Sequence, residues 1–230
     1  QLWYKKSFRM PSFNELYYNY VGNSSLLPET AHQINYGLDL IPFENDTKDW
    51  AARMSVFYNR VNNKIVSIPT KNLFVWSTQN VTNVNVYGVE LSSEYAWKKN
   101  KMEYQLSGTY SYQKAIDVTE ESLNFGDQIA YTPQHMANLN LAIKRRSFGL
   151  RFSNNFISGR YALNENIESN LVEGYMISDI AVNYTFKLKK ENTLRIQANV
   201  KNVCAQSDAY VRSFVRPGRN DLISLSYAFN

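Results

Sequence analysis

Two histidines, His32 and His135, one cysteine, Cys204, and scattered serines and aspartates are the residues with which this chain could do acid–base or nucleophilic chemistry. Their spacing forbids most of it. The histidines stand about a hundred positions apart, no Gly-x-Ser-x-Gly elbow holds a serine, and no Gly-rich phosphate loop is present. His135 has no identifiable acid or base partner, so a loop-edge role is expected for it, and His32 is similar. A lone cysteine excludes an internal disulfide and any cysteine-based zinc site, and Cys204 is read as an inert small residue. The carboxylates are not tightly spaced, so neither a metal centre nor another cofactor is expected.

What remains is a chain built to present surfaces. It has 230 residues, 44% hydrophobic, 14% aromatic and 20% charged, which is too apolar for disorder. The net charge of +5 is spread in small clusters, whereas a nucleic-acid binder concentrates it on one face, so no nucleic-acid partner is expected. No run of about 18 apolar residues exists to form a membrane-spanning helix. A mean hydropathy of −0.44 does not exclude a β-barrel, in which apolar and polar residues alternate. The chain opens at Gln1 inside a strand-like run, which reads as a cut end.

The elements that must carry these residues are strands. Met102, Tyr104, Leu106, Gly108, Tyr110 and Tyr112 fall on one face, and Glu103, Gln105, Ser107, Thr109, Ser111 and Gln113 on the other. Unbroken alternation of this kind is a strand with one oily face. The pattern recurs at Ile34–Leu40, Trp50–Tyr58, Tyr87–Trp97, Leu139–Ile143, Phe148–Phe156, Ile180–Phe186, Leu194–Val200 and Ile223–Phe229. That makes nine strands and a partial one over residues 1–9. Short links at 44–49, 99–101, 145–147 and 189–192 alternate with long ones at 63–83, 114–133, 159–174 and 205–219. Sorting by parity predicts an up-and-down meander with one plain and one elaborate rim, as in outer-membrane barrels. Strands of about ten residues suit a tilted membrane crossing. Trp50, Tyr95, Trp97, Tyr175 and Phe229 near strand ends suit its aromatic girdles. Parity sends Tyr104 and Tyr110 to lipid and Glu103 inward. It also sends Glu90, Glu94, Arg53, Arg151, Asp179, Arg195 and Lys201 to the polar lumen face, and gives Gly88 the task of leaving room there. Nine strands do not close such a barrel, and open edges in lipid are costly, so further strands must complete it.

Ordered motifs point the same way. Phe8, Arg9, Pro11, Ser12, Phe13, Glu15, Leu16 and Tyr17 are followed by Gly22-Asn23, then Leu26-Leu27-Pro28-Glu29. Asn80-Val81, Gly88-Val89-Glu90, Tyr131-Thr132-Pro133-Gln134-His135, Asn202-Val203 and Pro217-Gly218-Arg219 follow. In order and spacing, over nearly the whole chain, these resemble the TonB-dependent outer-membrane receptors. The resemblance implies an all-β transmembrane antiparallel barrel of about 22 strands, of which residues 1–230 are the C-terminal part, with the plug and about thirteen strands missing. One departure is that Phe229 is penultimate where such barrels end on an aromatic.

The resemblance further implies a non-enzymatic importer in the bacterial outer membrane, its C-terminus periplasmic. Its partners would be the remaining strands and plug, the TonB complex through that plug, outer-membrane lipid and lipopolysaccharide, with a surface lipoprotein as a further candidate. The substrate class is a scarce nutrient, a cobalamin-type corrinoid first and a ferric siderophore second. Loop residues expected to touch it are Tyr17, Tyr18, Tyr20, Phe74, Trp76, Arg160, Tyr161, Tyr210, Arg212, Phe214 and Arg216. Aromatic faces stack on flat ligands, and arginines pair with phosphate or carboxylate. The competing expectations are a self-contained outer-membrane enzyme or porin of about ten strands, which the motif order disfavours, and a soluble β-sandwich adhesin or sugar-binding module, which should have shorter strands.

Overall fold

The computed structural model describes residues 1–19, 21–69, 75–188, 192–207 and 209–229. Alternation becomes strand throughout. In chain order these are β1 (Leu2–Arg9), the short helix α1 (Phe13–Tyr17), β2 (Glu29–Asn45), β3 (Lys48–Pro69), β4 (Trp76–Lys99), β5 (Met102–Asp117), β6 (His135–Arg145) and β7 (Phe148–Ile157). Then come β8 (Arg160–Tyr161), β9 (Leu171–Val172), β10 (Tyr175–Lys187), β11 (Thr193–Lys201), β12 (Ala209–Val211), β13 (Phe214–Val215) and β14 (Asn220–Ala228). Ten strands form one sheet in the order β1-β2-β3-β4-β5-β6-β7-β10-β11-β14. Every pairing in it is antiparallel. The partial strand at the start is therefore a full member, pairing Leu2 with Tyr36 through Arg9 with Glu29. The pairs β8–β9 and β12–β13 are small loop hairpins.

Two expectations about the strands need correction. The long link at 63–83 is mostly strand: β3 and β4 stay paired out to Pro69 opposite Trp76. These stretches are rich in β-branched residues, Ile65, Val66, Ile68, Thr78, Val81 and Thr82, and hold no glycine, so nothing breaks the ladder. Likewise β5 runs on to Asp117, and the following loop begins at 118. The link at 189–192 falls mainly outside the described residues. The hairpin there closes with the Leu188 N–H donating to the Asn192 carbonyl.

Curvature separates the faces. One hollow of about 1210 Å³ touches Lys98, Glu103, Lys144, Arg151 and Gln197, side chains that stand strands apart across the sheet. A flat sheet does not enclose them together, so this polar face is concave. Asp179, Arg195 and Lys201 border the same hollow. The opposite face is apolar and open, with Leu139, Tyr184 and Leu225 exposed and Ile223 exposed at 75%. A water-facing surface does not carry an apolar sheet of that extent. Tyr110 lies in it beside Leu91 and Leu139, while Glu103 lines the hollow, as parity requires.

Aromatic residues band the apolar face at two heights. Near the short turns Phe43, Trp50, Tyr95, Trp97 and Tyr104 form a chain of ring contacts, with Trp97 and Tyr104 parallel to within 6°. Toward the other rim Tyr110 and Tyr112 meet His135, and the Tyr4 hydroxyl meets His32 Nδ1. This gives both histidines ordinary tyrosine partners. Tyr104 and Tyr112 share one face of β5, so the bands stand about 26 Å apart along the strand. That is close to the apolar band height of an outer-membrane barrel. Tyr175 is the exception among the expected girdle residues. It is 4% exposed at the start of β10, on the face opposite Ile180, and so belongs to the loop side of the concave face. Outward-facing Leu139→Arg is expected to weaken membrane insertion by about 2–4 kcal/mol, against little for inward-facing Asn140→Lys. Folding titrations from urea into detergent or lipid measure the difference.

The densest packing sits on the concave side beneath the long loops. Ala31, Val61, Val84, Ala115 and Ile129 form one buried cluster. Ile129 comes from the loop at 118–134, which folds back so that its N–H donates to the Ala115 carbonyl at 3.0 Å.

Candidate functional site: the long-loop rim

The motifs brace the loops. Ser12 caps α1, accepting from the Glu15 N–H, and the Glu15 carboxylate accepts from the Ser12 N–H at 2.7 Å, a reciprocal capping box. Arg9 bridges Glu15 at 3.0 Å and Glu29 at 3.3 Å, tying the Arg-Met-Pro-Ser-Phe-Asn-Glu stretch to the Leu-Pro-Glu stretch. Asn80 accepts from the Leu27 N–H and donates to the Leu27 and Asn63 carbonyls. Asn202, at φ 51°, accepts from the Gln206 N–H and donates to its carbonyl, while its own N–H donates to Asp179.

Burial disfavours the Glu15 anion, but the hydrogen bonds from Ser12 and Arg9 outweigh it and hold this carboxyl below its ordinary value. A depressed value means the interaction is present above the ordinary glutamate range, near 4.5, and is lost as pH falls through the folded value. With the intrinsic, base-catalysed exchange rate divided out, the amides of residues 10–19 and 21–28 are therefore expected to be less protected at pH 3 than at pH 6. Glu15→Gln should remove that difference. The pair is partly exposed, so its size is below about 1 kcal/mol.

Three long loops interlock above the buried cluster. Asn164 accepts from the Ala130 N–H at 2.8 Å and Asn166 from the Gln128 N–H at 2.6 Å, locking the loop at 158–174 to the loop at 118–134. The Tyr131 N–H donates to the Tyr161 carbonyl. Asn164→Ala strands the buried Ala130 N–H and is expected to cost about 1–3 kcal/mol. Thermal unfolding of the intact protein, with hydrogen exchange at 126–132, measures it.

Arg160 is the hub. It is 3% exposed, and its Nη2 donates to the Ala209 and Tyr210 carbonyls at 2.9 and 2.6 Å. Its guanidinium lies 5.6 Å from the ring centroids of both Tyr175 and Tyr210. Arg216 lies 5.2 Å from the other partner of this sandwich, Tyr175. Arg212 donates to Asn170 at 3.4 Å. Trp76 stacks on Tyr131 at 5.7 Å. Burial pushes the Tyr131 phenol above its ordinary value, against the Arg212 backbone N–H and the charges of Arg160 and Arg212 that favour its anion. Arg160 Nη1 is buried without a hydrogen-bond partner among the described residues. Neither Arg160 nor Arg212 forms an ion pair among them. Three guanidiniums among four aromatic rings suit an acidic, partly flat ligand.

Five of the residues expected from sequence meet here: Trp76, Arg160, Tyr210, Arg212 and Arg216. Tyr161 joins through its carbonyl, and Phe214 stands exposed on β13. Tyr17 and Tyr18 lie exposed on the α1 loop, without contact to this cluster. Tyr20 and Phe74 lie outside the described residues. Sequence reading missed Tyr131 and Tyr175. Both stand at borders where a long link meets a strand, a signal that parity assigns to a girdle as readily as to a site. Among the described residues no group of three or more His, Cys, Asp and Glu is placed to hold a metal.

A meander of long strands, apolar outside and polar inside, with one rim of short turns and one of interlocked loops, defines the wall of a β-barrel receptor. The family model for the TonB dependent receptor-like β-barrel matches residues 4–203, and the chain belongs to that family. Its members are transporters and receptors that carry a plug domain and interact with TonB. Among curated proteins, the vitamin B12 transporter BtuB of Vibrio vulnificus (strain YJ016) is 22% identical over 96% of this chain and 33% of its own length. Solved structures share the fold. The copper transporter OprC matches with a TM-score of 0.69 at 14% identity, over 96% of this chain and 36% of that one. The ferric-catecholate import receptor Fiu of E. coli K12 matches at 0.68 and 18%, over 97% and 32%. The chain thus spans about a third of the length of the relatives it matches.

Proposed function

We propose that this chain is the C-terminal part of the barrel wall of an outer-membrane importer, its long loops extracellular and its C-terminus periplasmic. It works with the remaining strands and plug, and through the plug with TonB, which draws on the proton-motive force. The wall makes and breaks no bond. Its contribution is a passive scaffold and a receiving rim of fixed cations and rings. The substrate is a cobalamin-type corrinoid, a flat macrocycle bearing a phosphate. The observation that carries this reading is the Arg160 constellation with Arg212, Tyr131, Tyr175 and Tyr210, set on a barrel whose curated relative is a vitamin B12 transporter. Rings at the rim stack on the macrocycle face, and guanidiniums take the phosphate. Of the expected residues, Trp76, Arg160, Tyr210, Arg212 and Arg216 form one patch, while Tyr17, Tyr18 and Phe214 reach the ligand only from flanking loops.

Equilibrium binding of cyanocobalamin to the intact receptor, plug and barrel together, tests the reading. Saturable binding, reduced by Arg212→Gln, is expected. A folded receptor that ignores cyanocobalamin but binds ferric siderophores moves the substrate to those chelates. The same guanidiniums suit that second reading, since the chelates also carry acidic oxygens.

A further inference from the structure

Cations at the short-turn rim divide by face. On the concave side Lys144 pairs with Glu103 at 3.5 Å, and Lys98 borders the same hollow. On the outer side matters differ. Lys99, Met102 and Arg145 are register partners across β4, β5 and β6, in a row immediately beyond the row Trp97, Tyr104 and Ile143. Lys99 and Arg145 therefore stand about 10 Å apart on the membrane side, two strand spacings. Lys101 joins them at the tip of the β4–β5 turn, where Asn100 and Lys101 have φ of 52° and 61°, the left-handed pair of a type I′ hairpin. A lysine is a poor choice for that conformation, which favours Gly or Asn. All three cations are exposed, none borders the hollow, and none has an ion-pair partner among the described residues. The neighbouring β2–β3 turn carries Glu44, Asp46 and Asp49, so this is a local patch.

We infer that Lys99, Lys101 and Arg145, with the stacked Trp97–Tyr104 pair beneath them, clamp the headgroup of an anionic phospholipid in the leaflet at the short-turn side. The rings sit at headgroup depth, as interfacial aromatics do, and their parallel stack offers a flat floor for the glycerol region. Cations placed just beyond that depth supply what a phosphodiester lacks, and long stems let them reach it. Unpaired outward charges beside an apolar wall fit one anionic lipid, while the paired inward charge needs none. This rests on reading the chain as a membrane-spanning wall with its short turns in the periplasm.

The test uses the intact receptor. Native mass spectrometry after equilibration with equimolar phosphatidylglycerol and phosphatidylcholine is expected to retain the anionic lipid several-fold over the zwitterionic one. Lys99→Gln, Lys101→Gln and Arg145→Gln together should abolish the preference, and Arg145→Gln alone should halve it or more, which keeps the test open if the triple variant misfolds. Lys98→Gln with Lys144→Gln removes charge from the hollow side and should leave the preference intact. Equal retention of both lipids by a folded, heat-modifiable barrel overturns the clamp alone. Absence of heat-modifiable migration overturns the wall reading and the clamp with it. Loss of binding to isolated peptidoglycan in the triple variant, with the lipid preference unchanged, reassigns the patch to an acidic polymer and overturns it as well.

Discussion

Gly88→Ala is expected to abolish assembly of the barrel, or to cost on the order of 3 kcal/mol or more where some assembly survives. A Cβ at this position would stand 2.1 Å from the Tyr112 carbonyl oxygen, 2.8 Å from Phe57 Cζ and 3.0 Å from Gln113 Cα. Two of those three atoms are backbone of the adjacent strand, so a rotamer change does not clear them. Phe57 is the register partner of Gly88 on β3, and its ring covers the glycine from the concave side. The room that parity assigns to Gly88 is thus filled by a neighbouring side chain. Phe57→Ala combined with Gly88→Ala is expected not to rescue assembly, because the Tyr112 oxygen remains. Gly108→Ala is the control: its nearest contacts would be 3.4 Å from the Asn138 oxygen and 3.7 Å from Leu139 Cδ1, ordinary distances. Its cost should stay within about 0.5 kcal/mol. Heat-modifiable migration of the receptor from outer-membrane fractions separates these outcomes. Normal yield of Gly88→Ala would contradict the close packing of β3, β4 and β5.

Arg160→Met should release the last long loop while leaving the barrel intact. The substitution keeps an apolar stem but removes two charge-assisted hydrogen bonds to the Ala209 and Tyr210 carbonyls, and both ring contacts. Hydrogen bonds from a charged donor contribute about 1.5–3 kcal/mol each, and a desolvated cation over a ring about 2. The loss falls on a loop hairpin, so it is expected as local opening of residues 205–219. Faster hydrogen exchange and new proteolytic cuts there, with unchanged heat-modifiable migration, are the expected pattern. Under the proposed function, affinity for cyanocobalamin should fall at least tenfold, since Arg212, Tyr210 and Arg216 lose their placement. Arg160→Lys should recover little, because a point charge lacks the planar fork that serves two carbonyls and two rings at once.

How much of this was legible beforehand differs by level. The alternation from Met102 to Gln113 carried the strand, its two faces and the inward direction of Glu103 without any partner strand. Register followed from the short turns. Asn100 and Lys101 close a two-residue hairpin, and each such turn pins the pairing above it. Strand ends were less legible. Residues 63–69 and 76–83 look like loop by composition, yet they pair because β3 and β4 hold each other along their full length. Tyr175 was misread for the same kind of reason. An aromatic at a strand end has one sequence signature whether it meets lipid or a buried guanidinium.

The sequence by itself determined most of the wall: nine of the ten sheet strands, their order as a meander, which residues meet the apolar side, and which rim is elaborate. Those properties are written at a period of two residues and in turns of a few residues, and backbone geometry alone reads them out. Only the tertiary structure decided the site. Arg160 reaches the Tyr210 carbonyl across 50 positions, and Asn164 reaches the Ala130 N–H across 34. No local pattern marks such partners. They meet because β7 and β10, then β10 and β11, are laid side by side, which sets the loops at 118–134, 158–174 and 202–219 over one another. Local periodicity fixes a strand's two faces, but only strands placed side by side bring distant loops within hydrogen-bond range.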